Sequence, residues 1–188
     1  PQHVKGFLDK FAATANTAAE LLNEIQALAI PLVGIDPSMV LCYRDEYSKT
    51  LGEDRGDFNV LLVHEWLLKL DLPTKVTTPQ QHYALFGHCS EKTALPASEN
   101  QWQSVFAKFG LTLTPVAVGC CGMAGTFGHE ESHLSQSKGL FELSWREQIA
   151  QYTPEQIVAT GYSCRSQVAR LAEFKPKHPL QVLLNTLE

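Results

Sequence analysis

No run of lysine or arginine occurs in the 188 residues. With 15 basic against 20 acidic side chains the formal net charge is −5. The chain therefore lacks a cationic surface to neutralise phosphates, and nucleic acid is excluded as a partner. No apolar run approaches bilayer length and no stretch has the form of a secretory signal, so no membrane span is expected. Cysteine is scarce and odd in number, at five, in a chain large enough to fold without staples. That excludes an even disulfide framework. It favours a reduced setting, cytoplasmic or peripheral to the inner face of the membrane, with cysteines as ligands or reactive groups. Paired Cys-x2–4-Cys knuckles, the usual mark of structural zinc, are also missing. Because the opening from Pro1 is already helical in pattern, the chain reads as a segment of a longer one.

What is present is an ordinary globular composition, 44% hydrophobic and 19% charged, with helices and strands in alternation. Val4 to Ala29 carries a 3.6-residue apolar stripe through Phe7, Leu8, Phe11, Ala15, Ala18, Leu21, Leu22, Ile25 and Leu28, which predicts a helix. Leu32–Ile35 reads as a short buried strand. Asp36 as N-cap and Pro37 at the first helical position then start a helix running towards Leu51. Gly52 to Asp57 reads as a loop, Val60 to Leu70 as a helix, and Asp71 to Pro79 as a connector. Gln81–Gly87 is a second strand, followed by a helix over Pro96–Phe109, a strand over Leu111–Val118 and a mostly helical His129–Tyr152. Ile157–Gly161 is a fourth strand and Ser163–Phe174 a helix, with a last apolar segment at Leu180–Leu187. This alternation predicts an α/β fold with a mainly parallel sheet flanked by helices. Ser38-Met39-Val40-Leu41-Cys42 echoes Ser163-Cys164-Arg165-Ser166-Gln167, each after a strand. Two related units are therefore expected, residues 1–75 as the rear part of a first repeat with its linking helix and residues 76–188 as a second repeat.

The stretch Val118-Gly119-Cys120-Cys121-Gly122-Met123-Ala124-Gly125-Thr126-Phe127-Gly128 carries the chemistry. Neighbouring side chains on a regular strand face opposite ways, so adjacent cysteines reach one centre only where the backbone bends, and glycine permits the bend. Bare backbone also leaves N–H groups to donate to thiolate sulfur. Buried cysteine pairs occur as small hydrophobes too, but packing alone does not ask for so many glycines. Cys89, Cys120, Cys121 and Cys164 all fall at the carboxyl ends of expected strands, where α/β sheets gather functional groups. Four thiols from three strand ends suit one tetrahedral zinc or an iron–sulfur cluster, and adjacent cysteines favour the cluster. Cys164 stands at an expected helix N-terminus beside Arg165, a setting that favours thiolate. Cys42, between Leu41 and Tyr43, reads as core. Gly119, Gly122 and His88 are the further candidates for contact with a bound group, and His129 flanks the same stretch.

His129-Glu130-Glu131-Ser132-His133 satisfies H-E-x-x-H, whose spacing sets two histidines on one face of a helix. The metzincin continuation fails, with Gln136 in place of its glycine and Gly139 in place of its third histidine. No protease activity is expected.

Gly119-Cys120-Cys121-Gly122-Met123-Ala124-Gly125-Thr126-Phe127-Gly128, with His88-Cys89 before it and Gly161-Tyr162-Ser163-Cys164 after it, resembles the cysteine-rich CCG domain. That domain occurs in heterodisulfide reductase subunits, iron–sulfur subunits of glycolate oxidase and lactate utilisation, and the small subunit of anaerobic glycerol-3-phosphate dehydrogenase. Gly34-Ile35-Asp36-Pro37 and Cys42-Tyr43-Arg44-Asp45-Glu46-Tyr47 look most like the C-terminal part of large bacterial FAD-linked oxidases, D-2-hydroxyacid dehydrogenases of the D-2-hydroxyglutarate type. The resemblance implies an iron–sulfur cluster, of 4Fe–4S type, on Cys89, Cys120, Cys121 and Cys164. It also implies FAD and ferredoxin-like domains elsewhere in the same polypeptide, an electron acceptor of unknown identity, and a chain that is catalytically silent by itself. Met39 and Gln167 stand where the family pattern has cysteines. The rival expectation is a metal-free or zinc-holding structural domain that docks the acceptor.

Overall fold

A computed structural model describes residues 2–71 and 81–187. The chain forms two units, the first ending at Trp66 and the second beginning at Leu67; the expected connector after Asp71 lies outside the described residues. The first unit runs α1 (Leu8–Ala27), β1 (Leu32–Gly34), α2 (Pro37–Arg44), α3 (Glu46–Leu51), β2 (Val60–Leu62) and into α4 (Val63–Lys69). In the second come β3 (His82–Phe86), α5 (Cys89–Ala94), α6 (Ser98–Lys108), β4 (Thr112–Pro115), α7 (Leu134–Ser144), α8 (Arg146–Ile149), β5 (Ile157–Ala159), α9 (Tyr162–Ala172) and α10 (Pro179–Asn185). The fold is α/β and all the described pairings are parallel. They form two sheets, one per unit, ordered β1-β2 and β4-β3-β5.

In the first unit α1 buries Phe11, Ala15 and Ala19, an i, i+4, i+8 stripe. The rest of its apolar residues are not all covered, and Phe7, Leu8, Leu21 and Leu28 are exposed. Two amides tie α1 to the loop before β2. Asn23 donates to the Arg55 carbonyl and accepts from Phe58 N–H, and Gln26 bridges Asp57 and Asn59 in the same way. Asp36 caps α2 through Oδ1, which accepts from Ser38 and Met39 N–H at 3.0 and 3.3 Å. The helix expected to continue to Leu51 breaks at Asp45. Val60–Leu62, read as the start of a helix, is a strand, because a three-residue apolar run carries no period of its own.

The second unit closes on Phe86, Phe141 and Trp145, all fully buried, with the Phe86 and Trp145 rings 5.1 Å apart. β4 is shorter than expected because Pro115 has no N–H for the ladder; Val116 makes one more bond, to the Leu85 carbonyl. The stretch expected as helix from His129 opens instead as short 3-10 turns at Phe127–His129 and Glu131–His133, and the α-helix begins only at Leu134.

The two units share a frame beyond the five-residue echo. α2 starts three residues after the end of β1, and α9 three residues after the end of β5. Val33 pairs in parallel with Leu61, and Val158 with Lys177. A helix begins two residues later in both, at Val63 and Pro179. Both of these helices are capped alike, Leu62 N–H donating to Glu65 and His178 N–H to Gln181, each at 2.8 Å.

Candidate functional site

The carboxyl ends of β3, β4 and β5 lie side by side in one sheet, so the segments that follow them emerge together. After β3 the chain turns through His88 into α5, whose first residue is Cys89. After β4 it enters the glycine turn with Cys120 and Cys121. After β5 it passes Thr160 and Gly161 into α9, whose third residue is Cys164.

The structure brings these four thiols together. Cys120 is in side-chain hydrogen-bond contact with both Cys89 and Cys121, and Cys121 also with Cys164. Cys121 and Cys164 are buried, while Cys89 and Cys120 are half-buried at the rim. Cys42 belongs to the first unit.

The turn is built for adjacent cysteines. Gly122 has φ +90°, Gly125 φ +66°, and a Cβ at Gly122 would overlap the Ser137 carbonyl oxygen. The bend directs backbone donors at sulfur. Gly122 N–H points to Cys120 Sγ at 3.4 Å, Ala124 N–H reaches the same sulfur, and Met123 N–H serves Cys121. Contacts from the Cys121 and Cys89 thiols, with these amides, hold Cys120 far below the ordinary thiol range, while Cys89 and Cys121 are pushed up as the donors to it.

Side chains from α5, α7 and α9, with Trp145 just after α7, clamp the turn. Lys92 Nζ donates to Val118 O at 2.6 Å, Trp145 Nε1 to Gly119 O at 3.1 Å, and Gly119 N–H donates to Ser144 Oγ. At the far end Arg170 donates to Gly128 O, Ser137 Oγ and Gln167 Oε1, and the Gln167 amide donates to Ser137. Gln167 is fully buried in this network. A second buried set lies under the other two segments, where His88 N–H donates to Thr160 Oγ1 and the Thr160 hydroxyl to Glu91 Oε2 at 2.6 Å. A Cβ at Gly161 would overlap the His88 ring and stand 3.1 Å from Cys164 Sγ, so glycine is what lets these residues close up. Lys92, Glu91, Ser144, Trp145, Thr160 and Arg170 were not candidates from sequence. Their partners lie 25 to 72 residues away or in unrelated patterns, and only the glycine count hinted that something held the turn.

The H-E-x-x-H expectation of one helix face is corrected. His129 ends one 3-10 turn, Glu130 is extended, and His133 ends the next, so the two rings do not share a helix face. His133 stacks on Phe127 with ring centroids 4.2 Å apart, and His129 is exposed. Arg165 donates to the Ala159 and Thr160 carbonyls at the end of β5.

Among the described residues no group of three or more His, Cys, Asp or Glu side chains is spaced to hold a metal ion as it stands. Cys89, Cys120, Cys121 and Cys164 are neighbours in turn, and Cys164 also acts electrostatically on Cys89. The donor set nevertheless fits a thiophilic metal or cluster, with four thiols and backbone N–H groups aimed at sulfur.

Fold and site together define a parallel α/β domain with a strand-end thiol cluster. The chain is 53% identical over 188 residues to D-2-hydroxyglutarate dehydrogenase of Pantoea ananatis and 50% identical over 188 to that of Escherichia coli, covering 99% and 100% of this chain but 18% of each relative. It is 26% identical over 195 residues to one of the subunits of anaerobic glycerol-3-phosphate dehydrogenase from Escherichia coli, spanning 48% of that protein. These relatives are dehydrogenases. The chain thus spans about a fifth of the length of the first two and about half of the third. No family model matches the chain, and no solved structure matches it. Among the described residues no helix is long and apolar enough to cross a membrane.

Proposed function

We propose that this chain is the iron–sulfur electron-relay module of an FAD-dependent 2-hydroxyacid dehydrogenase. The convergence of four thiols from three strand ends on a turn that aims amides at sulfur is the observation that carries the reading. The similarity to D-2-hydroxyglutarate dehydrogenases supports the choice of substrate class. Cys89, Cys120, Cys121 and Cys164 would hold the cluster, and Gly119, Gly122 and His88 would line it. Such a cluster, when bound, supplies one-electron transfer at a potential set by the hydrogen bonds to its sulfurs. Gly122 and Ala124 N–H, which reach Cys120 sulfur, would offset the negative charge of a ligating thiolate there, and Lys92 and Arg170 keep the turn from relaxing. The half-buried Cys89 and Cys120 give the site one side close to solvent, suited to an electron acceptor. FAD and the hydride-transfer step belong to other domains of the polypeptide, so the chain alone turns over no substrate.

Anaerobic reconstitution with iron and sulfide, followed by assay of both, tests the reading. Wild type should take up iron and acid-labile sulfide together, Cys121→Ser should lose most of the uptake, and Cys42→Ser little. Equal uptake by wild type and Cys121→Ser makes the pair structural and removes the redox assignment. Zinc uptake without sulfide, or no metal uptake at all, supports instead a structural domain that docks the acceptor.

A further inference from the structure

The four thiols differ in what can reach them. Cys121 and Cys164 are 3% and 2% exposed, whereas Cys89 and Cys120 are half-buried and their chain neighbours Ser90 and Gly119 are exposed. Cys120 touches Cys89 on one side and Cys121 on the other, and Cys121 touches Cys164. Of these three contacts, the one between Cys120 and Cys121 makes a poor disulfide. Adjacent Cα atoms lie about 3.8 Å apart across a trans peptide, inside the roughly 4.4 Å at the lower end of what a disulfide spans. The contact between Cys121 and Cys164 is closed to solvent on both sides. Cys89 and Cys120 are the pair that touches, comes from separate segments and stands partly open to water. Neither is fixed in a strand, since Cys89 opens α5 and Cys120 lies in the glycine turn.

We infer that Cys89 and Cys120 form a reversible disulfide in the metal-free protein, with hydrogen peroxide as the oxidant. One sulfur attacks a peroxide oxygen. The S–O bond forms, the O–O bond breaks, and the departing hydroxide takes the thiol proton and leaves as water. The second sulfur then attacks the sulfenic sulfur, the S–S bond forms, and the displaced hydroxide leaves with the second thiol proton as another water. Two thiols lose two electrons and peroxide gains them, whichever sulfur attacks first. The neighbour matters because a sulfenic acid left alone goes on to sulfinic acid, which thiols do not reverse, whereas a disulfide returns to two thiols by exchange. The bond therefore spares both sulfurs while it withdraws them, leaving Cys121 and Cys164 as the thiols of the site. A bound metal would hold the same sulfurs, so metal and disulfide exclude each other. The inference concerns the thiols alone and does not depend on which metal or cluster they take.

Peptide mapping of the reduced, metal-free protein tests it. Hydrogen peroxide is added without air, free thiols are alkylated under denaturing conditions, and the digest is read by mass spectrometry. The expected product joins the peptides of Cys89 and Cys120, with Cys42, Cys121 and Cys164 alkylated, and dithiothreitol returns both thiols. Cys89→Ser leaves Cys120 without its partner, so sulfinic acid at Cys120 should rise about fivefold or more, and Cys42→Ser should change neither product. A dominant Cys120–Cys121 or Cys121–Cys164 link overturns the inference, as does survival of all five thiols in excess peroxide. A Cys89–Cys120 link found only between two copies, as a dimer on a non-reducing gel, overturns it as well. Equal sulfinic acid at Cys120 in wild type and Cys89→Ser means that Cys89 does not intercept the oxidised sulfur, and overturns it too. The wild-type map decides the pairing whether or not the variant folds.

Discussion

β1–α2 and β5–α9 are the same construction with the same spacing, and they do different things at the helix N-terminus. In the first, Asp36 spends the free N–H groups of α2 on its own carboxylate. In the second, Gly161 stands at that place, and the absence of a side chain lets His88 and Cys164 approach each other. The third helical residue is Met39 in one and Cys164 in the other, and the sixth is Cys42 and Gln167. Burial, with Glu46 nearby, pushes the Cys42 thiol up to about 11, which makes it a poor ligand. Gln167 donates to Ser137 and accepts from Arg170, and so fixes the turn that carries the other thiols. A repeated backbone supplies the place for a site. Whether sulfur chemistry occupies it depends on the residue before the helix and on the loops that arrive beside it.

The harshest way to break the contrast is Gly122→Ala. The new Cβ meets a backbone oxygen at Ser137 and the residue must keep φ +90°, so the turn has to move rather than a side chain. A loss of about 2–4 kcal/mol is expected, the range for combined overpacking and left-handed strain. Urea unfolding measures it, and iron uptake should fall with it. A variant as stable as wild type that still takes up iron means that the turn does not need its glycine.

Two glutamates, one in each unit, respond to pH in opposite senses: Glu91 is buried and Glu65 half-buried. Burial pushes Glu91 up to about 7, against the opposing donors Thr160 and Trp102. Its folded pKa then lies above its unfolded value. Its contribution is full below the ordinary carboxylate range and is lost as pH rises through 7, by at most about 3 kcal/mol. Glu65 is also raised by burial, but the Arg44 guanidinium at 2.5 Å and Leu62 N–H outweigh this and hold it below its usual value. Its contribution is present above the ordinary carboxylate range and is lost as pH falls through the folded pKa. On metal-free reduced protein, Glu91→Gln should raise the urea midpoint at pH 8 and not at pH 4, and Glu65→Gln should lower it at pH 8. A Glu91→Gln gain that is the same at both pH values removes the assignment.

The alternation of elements, the Asp36 cap and the strand-end positions of Cys89, Cys120, Cys121 and Cys164 were legible because each rests on local pattern: a stripe, a capping residue before proline, or cysteine just after an apolar run. The division into two sheets was not, since a strand as short as Val60–Leu62 takes its form from its partner at Leu32–Gly34. The His129–His133 stretch misled because its spacing fits a helix, whereas the preceding glycine turn delivers it as separate 3-10 turns. The clamps on the turn were hidden for another reason. Lys92, Trp145 and Arg170 have no pattern relating them to Val118, Gly119 or Gly128; only the folded sheet brings them there.

The smallest effect expected is the most direct test of the contrast. Met39→Cys puts a thiol on the first frame at the position matching Cys164, three residues before the Cys42 thiol. Met39 is 52% exposed, so the unfolding midpoint should move by less than about 0.5 kcal/mol. Iron uptake per chain should not rise. The Asp36 carboxylate already takes the Ser38 and Met39 N–H groups, and its charge opposes a thiolate forming on the same helical turn. Nor does the first unit, among its described residues, offer a glycine turn with adjacent cysteines. Asp36→Gly together with Met39→Cys removes the carboxylate and should still leave uptake at the wild-type level, because two thiols do not make a four-ligand site. Additional iron and sulfide in either variant would mean that the helix N-terminus alone sets the chemistry, and that the turn in the second unit is dispensable.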